Sequence, residues 1–400
     1  MSTSSPPKRA WITLLTRSSY LAGVITLAHT LQQHQTAYPL IVLTTPSLPA
    51  SSTRALDLES NHNPLLKTHR ISVLLPPRSQ KTTLIASRFR DTWTKLRAFE
   101  LVDYDALIFL DADITIFQNI DDAFSIHLPS RDWIGANHAC VCNLDHDSWA
   151  PSDWTAENCA YTPLSHPSAL QAPTPVPHSS NLTGKPTHRF LNSGMFLFHP
   201  SPALWDAMLA EFNTTPLLPT FQFPDQDFLA HFFRDRWMPL GWQYNALKTM
   251  RYWHENIWRD EEMRTLHYIV DKPWERRIAG DGIAGHLGRD GVTHGWWWDV
   301  WEEWLRARRE EGDEELVGIV DGVVAPGLDE EGERRQVEED RERGWPLEVP
   351  EHPGQVVREG QFLRYGKRER EERGRGKMVG RALRASRPGE YGHGRVVHPR

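Results

Sequence analysis

Three cysteines in 400 residues are too few to staple a fold. Cys140, Cys142 and Cys159 form an odd, low count, which excludes the disulfide framework of a small secreted domain and fits a reducing compartment. Long apolar runs are also missing, and no stretch approaches a transmembrane span. The first nine residues are polar and rich in Ser and Pro, so no secretory leader is expected and the expected location is cytoplasmic. A surplus of positive charge is absent too. Net charge is −7, which excludes a general attraction to nucleic acid. Hydrophobic content is only 39%, and the deficit is uneven. Residues 10–310 alternate apolar runs with turn signals, whereas residues 311–400 are mostly Glu, Arg, Gly and Pro. Such a segment buries too little apolar surface to offset its ordering entropy. One domain over 10–310 and a charged tail over 311–400, largely disordered or transiently helical, are therefore expected.

Within 10–310 the pattern alternates strand and helix. Strands are expected over 10–15, 39–45, 71–75, 106–110, 133–137 and 189–198, with late ones over 240–246 and 265–270. Helical spacing covers 20–33, 88–102, 202–212, 225–233 and 296–309, with a polar helix or loop over 51–61. Alternation of this kind implies an α/β fold, a mostly parallel sheet with helices on both faces. Trp297, Trp301 and Trp304 share one side of the last helix, and that stripe is expected to pack inward. Residues 138–188 break the pattern and read as a long insertion carrying all three cysteines. Cys-x-Cys with a third Cys allows a metal site if His138 or His146 completes four ligands. A disulfide or packed thiols are the alternatives.

The run Ala106-Leu107-Ile108-Phe109-Leu110 leads straight into Asp111-Ala112-Asp113. The apolar run reads as a buried strand, and both carboxylates then project from its carboxyl end. Open α/β sheets bind ligands at that end. Two carboxylates held together repel unless a cation lies between them. A strand end that is merely acidic is the alternative.

Further motifs follow in order: Tyr20 after the first strand, Thr94-Lys95-Leu96, Asn119-Ile120-Asp121-Asp122, Leu191-Asn192-Ser193-Gly194, Asp225-Gln226, then His267 and Lys272-Pro273-Trp274. Together with Asp111-Ala112-Asp113, this ordered set resembles glycosyltransferase family 8, the glycogenin and galactinol-synthase group, over roughly residues 10–275. The resemblance implies a GT-A fold, the nucleotide-diphospho-sugar transferase arrangement. It also implies a retaining hexosyltransferase that uses a UDP-sugar donor and a divalent metal, usually Mn2+. By the same resemblance, Asp111, Asp113 and His267 would bind the metal, and Lys272 and Lys95 would contact the diphosphate. Tyr20 would lie on the uracil ring, with Leu14, Thr16 and Ala112 lining the nucleotide pocket. Asn192, Ser193, Asp225 and Gln226 would surround the transferred sugar. The acceptor, whether carbohydrate, lipid or protein, is not readable, and a homodimer is allowed.

Each residue also has a plainer alternative. Asp225 suits a helix cap, His267 a packed strand, Lys95 a solvated helix face and Tyr20 first-turn packing. Two departures from the family stand out: Arg17 replaces an Asn, and the loop Tyr268-Ile269-Val270-Asp271 is short and lacks Gly. Three other functions compete. Tyr252 lies near the place where glycogenin carries its self-glucosylated tyrosine. Asp111-Ala112-Asp113-Ile114-Thr115 also fits the Asp-x-Asp-x-Thr phosphatases, but Gly280-Asp281 lacks their nearby acidic partner, Asp290 being too distant in sequence. A non-catalytic sugar-nucleotide-binding protein is the third.

Overall fold

The computed structural model describes residues 7–77, 87–180 and 184–343. In chain order the regular elements are β1 (Arg9–Leu15), α1 (Leu21–Gln33), β2 (Leu40–Thr44), α2 (Ala50–His62), β3 (Leu66–Arg70), β4 (Ala106–Leu110), β5 (Ile114–Ile116), β6 (Ile134–His138) and β7 (Leu191–Phe198). They continue with α3 (Pro202–Thr214), α4 (Pro224–Phe232), β8 (Trp237–Pro239), β9 (Ala246–Leu247), α5 (Met250–Trp253), β10 (Thr265–His267), α6 (Gly291–Glu310), α7 (Glu314–Asp321) and α8 (Glu330–Glu342). A run of 3-10 turns, Ser87–Glu100, precedes β4.

Seven strands form one sheet in the order β3-β2-β1-β4-β7-β6-β8. Only β7 runs against its neighbours. The expected α/β class, with a mostly parallel sheet, is therefore found. Every residue of β2 and β4 is buried, which is why both read as unbroken apolar runs. On one face Ile12, Leu43, Phe109 and Phe196 pack with Trp93, Phe99, Met208 and Phe228 from the 3-10 run, α3 and α4. The other face is covered by α1, which packs against α6. Trp297, Trp301 and Trp304 point inward there as expected, with Trp297 and Trp301 stacked at 5.8 Å.

A second, smaller sheet has the order β5-β10-β9. Since β5 follows the Asp111–Asp113 turn, this sheet brings a distant strand to the end of β4. Antiparallel pairing sets His267 opposite Ile114.

Several expected elements are corrected. The third strand is Leu66–Arg70, not 71–75. It lies at the sheet edge with four of its five side chains exposed, so it carries no apolar run to read. No strand spans 240–246. That stretch holds the 3-10 turn Trp242–Tyr244, with short strands on either side. The strand expected over 265–270 ends at His267. Within the expected tail, α7 and α8 are helical and tied to the body, where Arg276 reaches the buried Asp340 at 2.9 Å. Residues 344–400 lie outside the described residues. Among the described residues, no helix is long and apolar enough to cross a membrane.

One buried ion pair joins α2 to α6. Glu59 accepts hydrogen bonds from Trp304 Nε1 at 3.0 Å and Arg308 Nε at 3.1 Å, and its side chain is fully enclosed. Removing one partner strands a buried charge, at a cost of about 3–5 kcal/mol. Glu59→Ala is expected to lower stability in urea unfolding by that amount, and adding Arg308→Met to it is expected to recover much of the loss.

Candidate active site

The geometry begins with an irregularity in β7. The β6–β7 register jumps from Ala136 opposite Phe196 to Asn137 opposite Asn192. Ser193, Gly194 and Met195 therefore bulge from the ladder beside the end of β4, where Asp111 N–H donates to the Gly194 carbonyl at 2.8 Å. Gly194 is required by close approach, because a Cβ there would overlap the imidazole of His267. Gly23 in α1 is required likewise, with the Ala112 carbonyl and the Trp274 ring against it.

His267 is oriented by a chain of hydrogen bonds. Asn192 Oδ1 accepts the Gly194 N–H at 2.9 Å and the Asn245 Nδ2–H at 2.8 Å. Asn245 Oδ1 must then be the atom facing His267 Nδ1, at 3.0 Å, so Nδ1 carries the proton. That leaves Nε2 directed at the carboxylates, 3.3 Å from Asp113 and 3.8 Å from Asp111. Asp111, Asp113 and His267 thus offer three ligand atoms within 4.8 Å of one another. Asn245 escaped the sequence reading, since a lone Asn before a two-residue strand carries no signal.

Two lysines complete the cluster. Lys272 donates to Asp113 and, at 2.7 Å, to the Tyr268 carbonyl. Its ammonium lies 5.9 Å from the centre of the Tyr20 ring, which meets Trp274 edge-on. Lys95 donates to Asp111 at 2.8 Å and to Asp225 at 2.6 Å, and Ser193 Oγ lies 3.2 Å from it. It is buried and is not a solvated helix lysine. The structure therefore groups Lys95 with Ser193 and Asp225 and sets Lys272 apart, beside Tyr20.

Asp225 does not cap its helix. Asp227, in the first turn of α4, reaches back to accept the N–H groups of Gln222 and Phe223 at 2.8 and 3.0 Å. Asp225 is left to accept from Ser193 Oγ at 2.8 Å and from Lys95. Gln226 Oε1 accepts the Ser193 N–H in a long bond of 3.4 Å, which leaves its NH2 group for another partner.

Burial opposes ionisation of both carboxylates at the strand end. For Asp113 the charges of Lys272 and His267 outweigh burial and hold it well below the usual carboxylate range. For Asp111 burial wins, and the like charge of Asp113 adds to it, so its pKa is raised. Burial pulls Lys95 down, but Asp111 and Asp225 more than compensate, and it stays protonated.

The other expected residues sit at the rim. Leu14 lies two residues past the last β1–β4 pair, Ile12 with Phe109, and packs against the core. Thr16 follows the end of β1, half-buried. Arg17, one of the departures, forms an ion pair with Asp91 at 2.9 Å. In the Gly-free loop, Val270 adopts φ 68°, a left-handed conformation that a β-branched residue pays for with strain. The Tyr252 hydroxyl is buried without a hydrogen-bond partner among the described residues. Asp290, the distant acidic partner of the phosphatase reading, pairs with Lys248 at 2.7 Å.

Residues 11–277 match glycosyl transferase family 8. Galactinol synthase 4 of Arabidopsis thaliana is 29% identical over 310 residues, covering 75% of this chain and 83% of its own length. Galactinol synthase 2 of Solanum lycopersicum is 30% identical over 301 residues, covering 74% and 80% respectively. Among solved structures, the galactosyltransferase LgtC in complex with donor and acceptor sugar analogs is similar at 14% identity and a TM-score of 0.48, covering 73% of this chain and 95% of that one. The family match runs from the first residues of β1 to just beyond Trp274 and so takes in every side chain gathered at the end of β4; the chain belongs to glycosyl transferase family 8.

Proposed function

We propose that this chain is a retaining hexosyltransferase that takes its sugar from a UDP-sugar with the help of a divalent cation, Mn2+ in the first instance. The observation that carries this reading is the split of one buried cluster into two sides. Asp111, Asp113, His267 and Lys272 face one another at the end of β4, and Lys95, Asn192, Ser193, Asp225 and Gln226 gather beside them.

The first side suits a diphosphate. The donor set of two carboxylates and an imidazole accepts Mn2+ more readily than Mg2+, which tolerates nitrogen poorly. When bound, the cation supplies positive charge against the diphosphate that departs. Lys272 adds a second positive charge on the Tyr20 side and can exchange its Asp113 contact for a phosphate oxygen. Tyr20, half-buried and edge-on to Trp274, offers a ring to the uracil base, with Leu14, Thr16 and the Ala112 backbone along the adjoining rim.

The second side suits the sugar. The glycosyl centre gains positive character as the bond to phosphate breaks, and the carboxylate of Asp225 answers it. Lys95 and Ser193 hold that carboxylate, and Lys95, which also pairs with Asp111 at 2.8 Å, stands between the sugar and the diphosphate. The NH2 group of Gln226 and the side chain of Asn192 are hydrogen-bonding partners for sugar hydroxyls. None of these residues is a dedicated base for the acceptor, so a phosphate oxygen of the leaving group takes its proton. Since the relatives are galactinol synthases, a galactosyl donor is the first to test. The acceptor is a separate molecule and not Tyr252, whose hydroxyl is enclosed.

The test is UDP release from a panel of UDP-hexoses with and without Mn2+, with intact protein mass read in the same tubes. Mn2+-dependent release at unchanged protein mass is expected. Release independent of any metal, or stepwise hexose gain on the protein, would overturn the reading. Asp113→Asn is expected to cut turnover by at least about 100-fold with the fold intact by circular dichroism. Asn245→Ala removes the group that fixes His267 and is expected to weaken Mn2+ binding by about 10–100-fold in calorimetry.

A further inference from the structure

The three cysteines converge on a residue that sequence reasoning passed over. Cys140, Cys142 and Cys159 surround Nε2 of His254, with Sγ···Nε2 separations of 3.3, 3.2 and 3.5 Å. His254 stands 112 residues after Cys142, just past α5. Neither expected fourth partner joins them: His138 donates its Nε2–H to the Thr174 carbonyl at 2.6 Å, and His146 is outside the group.

Neither of the plainer alternatives fits this arrangement. All three cysteines are free, and Cys140 and Cys159 lie 3.9 Å apart at sulfur, far beyond a disulfide bond of about 2.05 Å. Packed thiols fail as well. One imidazole nitrogen has a single proton or a single lone pair, so it serves one thiol and not three. The spacing is instead that of ligands around a shared centre. Bond lengths of about 2.3 Å to sulfur and 2.0–2.1 Å to nitrogen give tetrahedral edges of about 3.8 Å between sulfurs and about 3.5 Å between sulfur and nitrogen. The four ligand atoms lie within 4.8 Å of one another, and three of the four residues are buried.

We propose that Cys140, Cys142, Cys159 and His254 form a tetrahedral Cys3His site for Zn2+, distinct from the carboxylate cluster at the end of β4. Four protein ligands leave no open position, so the site is structural. On binding, the three thiols release their protons to solvent. The metal ties the start of the insertion, directly after β6, to the segment that follows β9 and α5. Asn137, opposite Asn192, lies in β6, and Asn245, which orients His267, directly precedes β9. The tie therefore braces the active site from behind. A third grouping, Asp271, Asp290 and His294, is not of this kind, because the buried ammonium of Lys248 lies 2.7 Å from each of the two carboxylates.

The test measures metal in the full chain purified without chelator or added metal. One equivalent of zinc per chain is expected, retained through gel filtration. Titration of the wild-type protein with an organomercurial is expected to release it in step with thiol modification. Replacement by Co2+ is expected to give the strong visible absorption of tetrahedral thiolate coordination. Cys142→Ser and His254→Ala are expected to cut zinc content at least tenfold, and Asp111→Asn/Asp113→Asn is expected to retain it. A folded wild-type chain that holds no zinc and binds no Co2+ would overturn the proposal. So would a chain whose zinc leaves with the aspartate substitutions, or one whose zinc stays when all three thiols are modified.

Discussion

At the carboxyl end of β4, three carboxylates share two ammonium groups in a pocket that excludes most water. Asp111, Asp113 and Asp225 face Lys95 and Lys272, three carboxylates to two ammonium groups, with His267 Nε2 turned toward the first two. Excess charge in such a place is expensive, because desolvation strengthens repulsion as well as attraction. The charges of Lys272 and His267 hold Asp113 ionised, whereas burial and the like charge of Asp113 raise the pKa of Asp111. The cluster is thus poised for one more cation and, with it, an anion that can take the lysine contacts.

The fold exists to keep that arrangement from relaxing. One sheet ends at Asp111. The bulge in β7 pushes Ser193 and Gly194 against it, and the small sheet sets His267 beside Asp113. Two glycines mark where backbones and rings come too close for a side chain: Gly23 under the Ala112 carbonyl and Gly194 under His267. The Asn192–Asn245–His267 relay then converts backbone geometry into the choice of a tautomer. Gly194, Asn245 and His267 are buried, and Asn192 is half-buried.

What could be read in the sequence was whatever leaves a local signature. The buried strands β1, β2 and β4 are apolar because both faces are covered, and Asp111 and Asp113 stand out at the end of such a run. Asn192-Ser193-Gly194, where the β6–β7 register shifts, stands out as a polar interruption of an apolar strand. Edge strand β3 left no such mark, since its side chains face water and its sequence, Leu-Lys-Thr-His-Arg, is mostly polar. Partners joined only by tertiary folding were equally silent. His254 meets its cysteines from about a hundred residues away, and Asn245 acts through a side-chain amide that no periodicity marks. The charge-rich segment after 310 misled by composition: α7 buries Leu316, Val317 and Val320 on one face, and α8 is held by ion pairs more than by apolar area.

The most direct test of the charge account is calorimetric binding of UDP to the full chain with and without Mn2+. If the cluster lacks one positive charge, the cation and the diphosphate bind together, and Mn2+ is expected to tighten UDP binding at least about tenfold, or about 1.4 kcal/mol. Equal affinity for UDP in the presence and absence of Mn2+ would contradict it.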